Sequence, residues 1–482
     1  MARIYPFRAL RYDTQKVHME DVVTQPYDKI SPAMQQAYYD RSPYNLIRVI
    51  LGKREPGDTD AFNPRPGEPQ HNVYTRAAEA LAAWRHEQIL REEPELALYG
   101  YSQTYQVPGT GKIQERRGFI ALGHLYDYEE KVVYRHEQTF PKHKSDRLAL
   151  FKATRAYCEQ IYMLYSDPAF TAEQLIFKTD PTGKPRVAAD LTITDEYDVV
   201  HRVWKLTDLH LINLIVTAMQ DKKLIIADGH HRYETSVAYM HERAAELGRT
   251  QSLPSFTNGG GPSSRIADEE EESPSVRADE PHSLALTPAF PEAAMMMTFV
   301  NMDAPGITIL PTHRVLFGLK DFSPAEFLAA AEPFFTLSPV THPSPAQLEP
   351  TDGVAFLAVT REGSHLLVAK PDAMAKALQK LHPEISRRKA QLDVVQLHHI
   401  VLEHLLGLSQ ESIARVENIR YVRDAAEAVE QVRTGAADIT FVIKPVTLDQ
   451  LRDISLSGDV MPQKSTDFYP KLLSGLAIYA LD

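Results

Sequence analysis

Cysteine is almost absent from this chain of 482 residues, in which Cys158 stands alone. A single thiol excludes a disulfide framework and any zinc site built on paired cysteines. An excess of positive charge is also lacking. Lys and Arg number 52 against 64 Asp and Glu, for a net charge of -12. That balance argues against a broad nucleic-acid-binding face, which needs a basic surface, but is compatible with a small basic pocket for one nucleotide. No run of eighteen apolar residues occurs, so no membrane span is expected, and the opening MARIYPFRALRYD has no apolar signal-like core. The chain reads as cytoplasmic. Three familiar motifs are missing as well: G-x-x-x-x-G-K-[ST], G-x-G-x-x-G and H-E-x-x-H. A nucleotide would therefore have to sit in an unfamiliar cradle.

What is present is a mixture of strand-like and helix-like stretches. NLIRVIL (45–51), ELALYGYSQTYQV (95–107), RRGFIALGHLY (116–126), IYMLYS (161–166) and KLIIAD (223–228) read as strands from their β-branched and aromatic content. Residues 72–90, 146–158 and 209–220 read as helices. After a break, MMMTFVNMD (295–303), GITILPTHRVLFGL (306–319) and strands near 353–360 and 365–370 precede a helix over 391–406 and a strand–helix–strand run to Pro445. The interleaving predicts an α+β (mixed α/β) fold. The break itself, residues 252–288, is rich in Pro, Gly, Ser and acid. Such a composition buries too little apolar area to offset its ordering entropy, which predicts a disordered linker or insertion between regions 1–251 and 289–482.

The stretch KLIIADGHHRYETS places Asp228, Gly229, His230, His231 and Arg232 where a strand hands over to a helix. Gly permits the sharp turn, and the unpaired N–H groups of a helix start favour an anion. Arg232 offers a planar fork suited to phosphate oxygens, and either histidine can donate a further hydrogen bond. Asp228 suits an anion site only if it holds a metal or orients a histidine. An N-capped helix with polar residues folded back is the plainer alternative.

A second cluster, RHEQTFPKHKSDR, packs His136, Glu137, Lys142, His143, Lys144, Asp146 and Arg147 ahead of a helix. Capping by Ser145 or Asp146 accounts for part of this polarity. A carboxylate such as Glu137 among cations can act as general base toward a hydroxyl, with Lys144 and Arg147 neutralising phosphate charge. A solvated basic loop is the alternative here. Lys464, Ser465 and Thr466 in MPQKST, and the PTHR segment (311–314), offer loops able to close over a phosphate. QPYDKIS (25–31) and SPYNLIRV (42–49) are equally compatible with structural turns. His398, His399 and His404 share one helix, but offsets of five and six residues place no two imidazoles at i,i+4, which argues against a metal there.

Taken together, PYDKIS, SPYNLIRV, RRGFIAL, HEQTFPKHKSDRL, IADGHHRYETS, LPTHR and MPQKSTDFYPKLLSGL resemble the DUF1015 family in content and order, over nearly the whole chain apart from the linker. Through that family the chain is similar to free-serine kinases of the ParB/sulfiredoxin-like fold. The resemblance implies a ParB/sulfiredoxin-like nucleotide-binding core in residues 1–251, with a second α/β region, 289–482, completing the cleft. It implies transfer of a phosphoryl group from ATP or ADP to free L-serine, with Mg²⁺ on the phosphates and a glutamate as base. Residue by residue, Gly229, His230, His231 and Arg232 match the phosphate turn, and Glu137 is the candidate base, flanked by His136 and Asp228. Lys144, Arg147, Lys464, Ser465 and Thr466 complete the expected nucleotide-binding set, and no residue is assigned to a metal. Fold does not fix function, so a ParB-like nucleotide switch and a phosphate-ester hydrolase stand beside the kinase reading. Replacing residues 252–288 with a short Gly-Ser linker is expected to leave the melting temperature unchanged; a large drop in a thermal melt would show that the segment packs on the core.

Overall fold

The computed structural model describes residues 1–65, 67–138, 142–178, 187–249 and 286–482. The anticipated linker lies almost wholly outside the described residues. Two sheets carry the architecture, which is mixed α/β. In the larger, strands run in the order 133–134, 224–228, 161–165, 294–301, 113–124, 98–106, 200–206 and 191–194, with Ile4–Tyr5 added against 113–124. Strand 294–301 runs parallel to 161–165, and 224–228 parallel to 133–134; the other pairings in this sheet are antiparallel. All eight residues of Ala294–Asn301 are buried, as expected for an apolar run in the middle of a covered sheet.

The smaller sheet has six antiparallel strands, ordered 335–340, 364–369, 355–360, 439–443, 313–316 and 419–422. One continuous apolar cluster reaches through both sheets, from Ile4 to Leu481. The expected division at residue 289 falls within the larger sheet, because strand 294–301 sits between 161–165 and 113–124. The carboxy-terminal segment also returns to the first half, where Tyr479–Ala480 pairs with Ala156–Tyr157. No helix among the described residues is long and apolar enough to cross a membrane.

Most expected elements form, with one change of type. NLIRVIL is not a strand: Ile47–Ile50 is a short helix. Asn45 decides this locally. Its side-chain oxygen accepts from Ile47 N at 2.9 Å, while its amide donates to Asp21 O at 2.7 Å. A short run that is mostly apolar and mostly buried has no periodicity to separate helix from strand. The helix expected over 391–406 begins as Asp393–Gln396 and continues as a wider, π-helical segment, Leu397–Leu405.

Gly118, in the RRGFIAL motif, lies where two central strands nearly touch. A Cβ there would stand 2.3 Å from the carbonyl oxygen of Phe299. Two residues earlier, Arg116 is buried and ties this sheet to the chain end. Its Nε donates to Gln103 Oε1 at 3.1 Å, Nη1 to Tyr469 O at 3.3 Å and Nη2 to Pro470 O at 2.6 Å. Gln103 in turn donates to Lys471 O at 2.7 Å. Arg116→Met keeps the bulk but leaves these buried acceptors unpaired, so a destabilisation of about 3 kcal/mol is expected from the urea midpoint.

Candidate functional site

Strand Leu224–Asp228 ends at the edge of a cleft of about 620 Å³. Gly229 then takes φ +95, and helix His230–Glu246 begins. The turn requires glycine twice over: the left-handed conformation, and a guanidinium lying where a side chain would go. A Cβ on Gly229 would stand 3.2 Å from Arg232 Nη2. Asp228, Gly229, His230, His231 and Arg232 all line the cleft.

Both chain ends and the smaller sheet supply the remaining walls. Tyr27, Asp28 and Lys29 come from the QPYDKIS turn, Glu137 from the HEQ loop, and Thr312 from PTHR. Tyr421 and Arg423 come from the end of strand Ile419–Val422, and Lys464, Thr466, Asp467 and Lys471 from the carboxy-terminal segment. Several of these charges are paired. Lys471 Nζ lies 2.7 Å from Asp228 Oδ2 and 3.0 Å from Asp467 Oδ1. Lys29 Nζ stands 3.8 Å from Asp467, and Arg423 pairs with the other oxygen of the same carboxylate. Burial works against the charge on Asp228 and Asp467, but the neighbouring cations, Lys471 first, outweigh it and hold both carboxyls well below the usual range. Both are therefore ionised and weakly basic.

Glu137 is different. Burial pushes its carboxyl above the usual range, opposed by Lys464 and by the Lys464 backbone N–H, which donates to Oε1 at 3.1 Å. The HEQ loop and the carboxy-terminal segment are joined in strand fashion, since Met461 N donates to His136 O at 2.8 Å. His136 is fully buried. Its Nδ1–H donates to Ile226 O and its Nε2 accepts from the Thr466 hydroxyl, each at 2.7 Å. Burial lowers its imidazole to about 4, so it is neutral. Its ring meets that of His230 edge-on at 4.6 Å. His230 is buried as well, its basicity suppressed by burial and by His136, and its Nε2 has no hydrogen-bond partner among the described residues.

Three of the anticipated nucleotide-binding residues lie off the cleft lining. Lys144 pairs with Glu234. Arg147 is buried, donating to Asp146 and to Ile50 O, with its guanidinium 4.1 Å from the Tyr27 ring centroid. Ser465 is buried and bonded to Pro462 O at 2.5 Å. Arg232 lines the cleft, but one arm is committed, with Nη1 donating to Gln160 O at 2.6 Å and lying 3.9 Å from Glu159. Glu159 lies beneath the turn and also holds Arg147 at 3.5 Å, so Arg147 supports Tyr27 and the floor of the cleft from behind. Lys29, Glu159, Arg423, Asp467 and Lys471 were not picked out by motif. Lys29, Asp467 and Lys471 do lie in segments singled out as QPYDKIS and MPQKSTDFYPKLLSGL, but nothing local shows that these meet.

The arrangement defines an α/β protein with a cation-rich cleft at a strand-to-helix turn. The chain belongs to the family described as protein of unknown function (DUF1015), which matches residues 4–395. No curated protein matches it in sequence. Among solved structures it is similar to a conserved hypothetical protein from Pyrococcus furiosus, with 10% identity, 71% of this chain and 89% of that chain covered, and a TM-score of 0.31. A free serine kinase in complex with AMP gives 11% identity, 70% and 83% coverage and a TM-score of 0.31. SbnI with a C-terminal truncation from Staphylococcus aureus gives 9%, 74% and 85%, and 0.32. Likeness at this level carries no argument about activity.

The ion cluster has a pH signature. Asp228 and Asp467 titrate lower folded than unfolded, so their stabilisation is complete above about pH 4 and is lost as pH falls through the folded values. Asp467→Asn is expected to cost about 3 kcal/mol at pH 7. The gap to wild type should narrow by about 1 kcal/mol at pH 3 when urea midpoints are compared; a gap independent of pH would mean that Asp467 is not held ionised by its neighbours.

Proposed function

We propose that the protein is a small-molecule kinase that transfers the terminal phosphoryl group of ATP or ADP to the hydroxyl of free L-serine. The observation that carries this reading is the meeting, in one cleft, of five cations with a carboxylate of raised basicity. Lys29, Arg232, Arg423, Lys464 and Lys471 line the space into which the first turn of helix His230–Glu246 opens, and Glu137 stands at its wall. A volume of about 620 Å³ lies within the usual range for small-ligand pockets. Phosphoryl transfer needs positioning and neutralisation of charge more than covalent chemistry, and cations at a helix start supply both.

In this reading, the phosphate chain lies over Gly229 with the free side of Arg232 and the lysines on its oxygens, and His230 Nε2 supplies a further polar contact. The bond from the terminal phosphorus to the donor nucleotide breaks as the bond to the acceptor hydroxyl forms. The hydroxyl proton passes to Glu137, whose raised pKa suits a base working near neutrality better than Asp228 or Asp467. Mg²⁺ in such sites uses one or two carboxylates together with phosphate oxygens. The cleft offers oxygen donors of that kind in Asp28 and Asp228, and the ion would supply charge neutralisation on the phosphates. The ParB/sulfiredoxin-like reading of the large sheet, with residues 289–482 completing the cleft, belongs to the same proposal.

The test is incubation of the pure protein with ATP or ADP, Mg²⁺ and a panel of free amino acids. Phosphoserine as product supports the kinase. Nucleotide turnover without an acceptor would replace it with a hydrolase, and binding without turnover with a nucleotide switch. Glu137→Gln keeps the shape but removes the basicity, so serine-dependent turnover is expected to fall on the order of a hundredfold to ten-thousandfold with nucleotide affinity held. Wild-type turnover in this variant would assign the base elsewhere.

A further inference from the structure

Outside the cleft, a second set of chemistry-bearing side chains converges on the π-helical segment. His399 and Glu403 are four residues apart on Leu397–Leu405, and His382 follows the end of helix Pro371–Leu381. One ligand atom from each lies within 4.8 Å of the others. We propose that His382, His399 and Glu403 form a binding site for a divalent transition metal, with Zn²⁺ as the ion of best fit.

Geometry carries the proposal. His399 Nδ1 stands 3.0 Å from Glu403 Oε1, and His382 Nε2 stands 3.5 Å from Glu403 Oε2. Two donors each about 2.0–2.1 Å from a tetrahedral zinc are separated by roughly 3.3 Å, close to both distances. The imidazole rings approach to 4.3 Å between centroids, and the two histidines face different oxygens of the one carboxylate. His399 Nδ1 is buried, and its close approach is to the Glu403 carboxylate. His382 shows the outer-shell arrangement common around metals: its Nδ1 faces Glu384 at 3.3 Å, which leaves Nε2 turned toward Glu403. Two imidazole nitrogens and one carboxylate favour zinc and its neighbours over Mg²⁺ or Ca²⁺, which prefer oxygen.

A cavity of about 220 Å³ is lined by two of the three, His399 and Glu403, with room for a water as fourth ligand. Gln138 and Gln463 also line it, each next to a residue of the main cleft, Glu137 and Lys464. The ion would therefore sit behind the two joined loops that border the cleft. The assignment does not depend on the phosphoryl-transfer reading.

The experiment uses the full-length, tag-free, metal-stripped protein titrated with ZnCl₂ in a calorimeter, and with Co²⁺ followed by visible absorption. Wild type is expected to bind one equivalent at micromolar affinity or tighter, to give the intense visible bands of tetrahedral Co²⁺, and to melt at a higher temperature with zinc. His399→Ala and Glu403→Gln should each weaken zinc binding at least tenfold and abolish the zinc-dependent rise in melting temperature. Should either variant unfold, His382→Asn, outside the regular helix, provides the same test. Wild-type zinc affinity in a folded variant would overturn the site, as would absence of stoichiometric binding to wild type.

Discussion

The ammonium of Lys471, set between Asp228 and Asp467, is the contact on which the cleft depends. It is 2.7 Å from one carboxylate and 3.0 Å from the other, and its side chain is only 9% exposed. A buried charge left without a partner costs several kcal/mol, so three groups this close are stable only as a set. Asp228 ends a strand of the larger sheet, while Asp467 and Lys471 lie near the carboxyl terminus. Satisfying the set therefore draws the end of the chain back across the sheet. Lys29, near the amino terminus, is drawn to the same carboxylate. The cleft is thus assembled from segments that are remote in sequence.

A surrounding hydrogen-bond network holds that return path. Arg116 and Gln103 bind backbone carbonyls of residues 469–471, and Gln160 donates to Leu473 O at 3.1 Å while its own carbonyl receives Arg232. The same residues that fix the carboxy-terminal segment thereby fix the guanidinium at the turn. Below them, Glu159 faces both Arg147 and Arg232. Arg147, which reads from sequence as a phosphate contact, is instead part of the support under Tyr27.

Environment then separates carboxylates that are alike in sequence. Asp228 and Asp467 sit among cations and stay ionised. Glu137, half-buried with fewer opposing charges, is pushed the other way. Divergent pKa shifts of this kind distinguish a structural anion from a candidate base. The histidines divide similarly: His136 is consumed by Ile226 and Thr466, whereas His399 turns a nitrogen toward the Glu403 carboxylate.

By itself, the sequence determined the alternation of strands and helices, the strand-to-helix turn at Asp228–Arg232 and the family. These are local properties, set by side-chain periodicity, by glycine at a left-handed position and by motif order. Where periodicity gave out, as in the mostly apolar NLIRVIL, a single Asn45 side chain decided for helix. Imidazoles counted along one helix pointed away from a metal, because His382 arrives from a different helix and the third donor, Glu403, is a carboxylate. Tertiary structure alone decided which cations face the cleft and which carboxylates stay charged. Lys29, Arg423 and Lys471 meet across the length of the chain, and pairing between buried charges depends on distance in space, which no spacing along the sequence encodes.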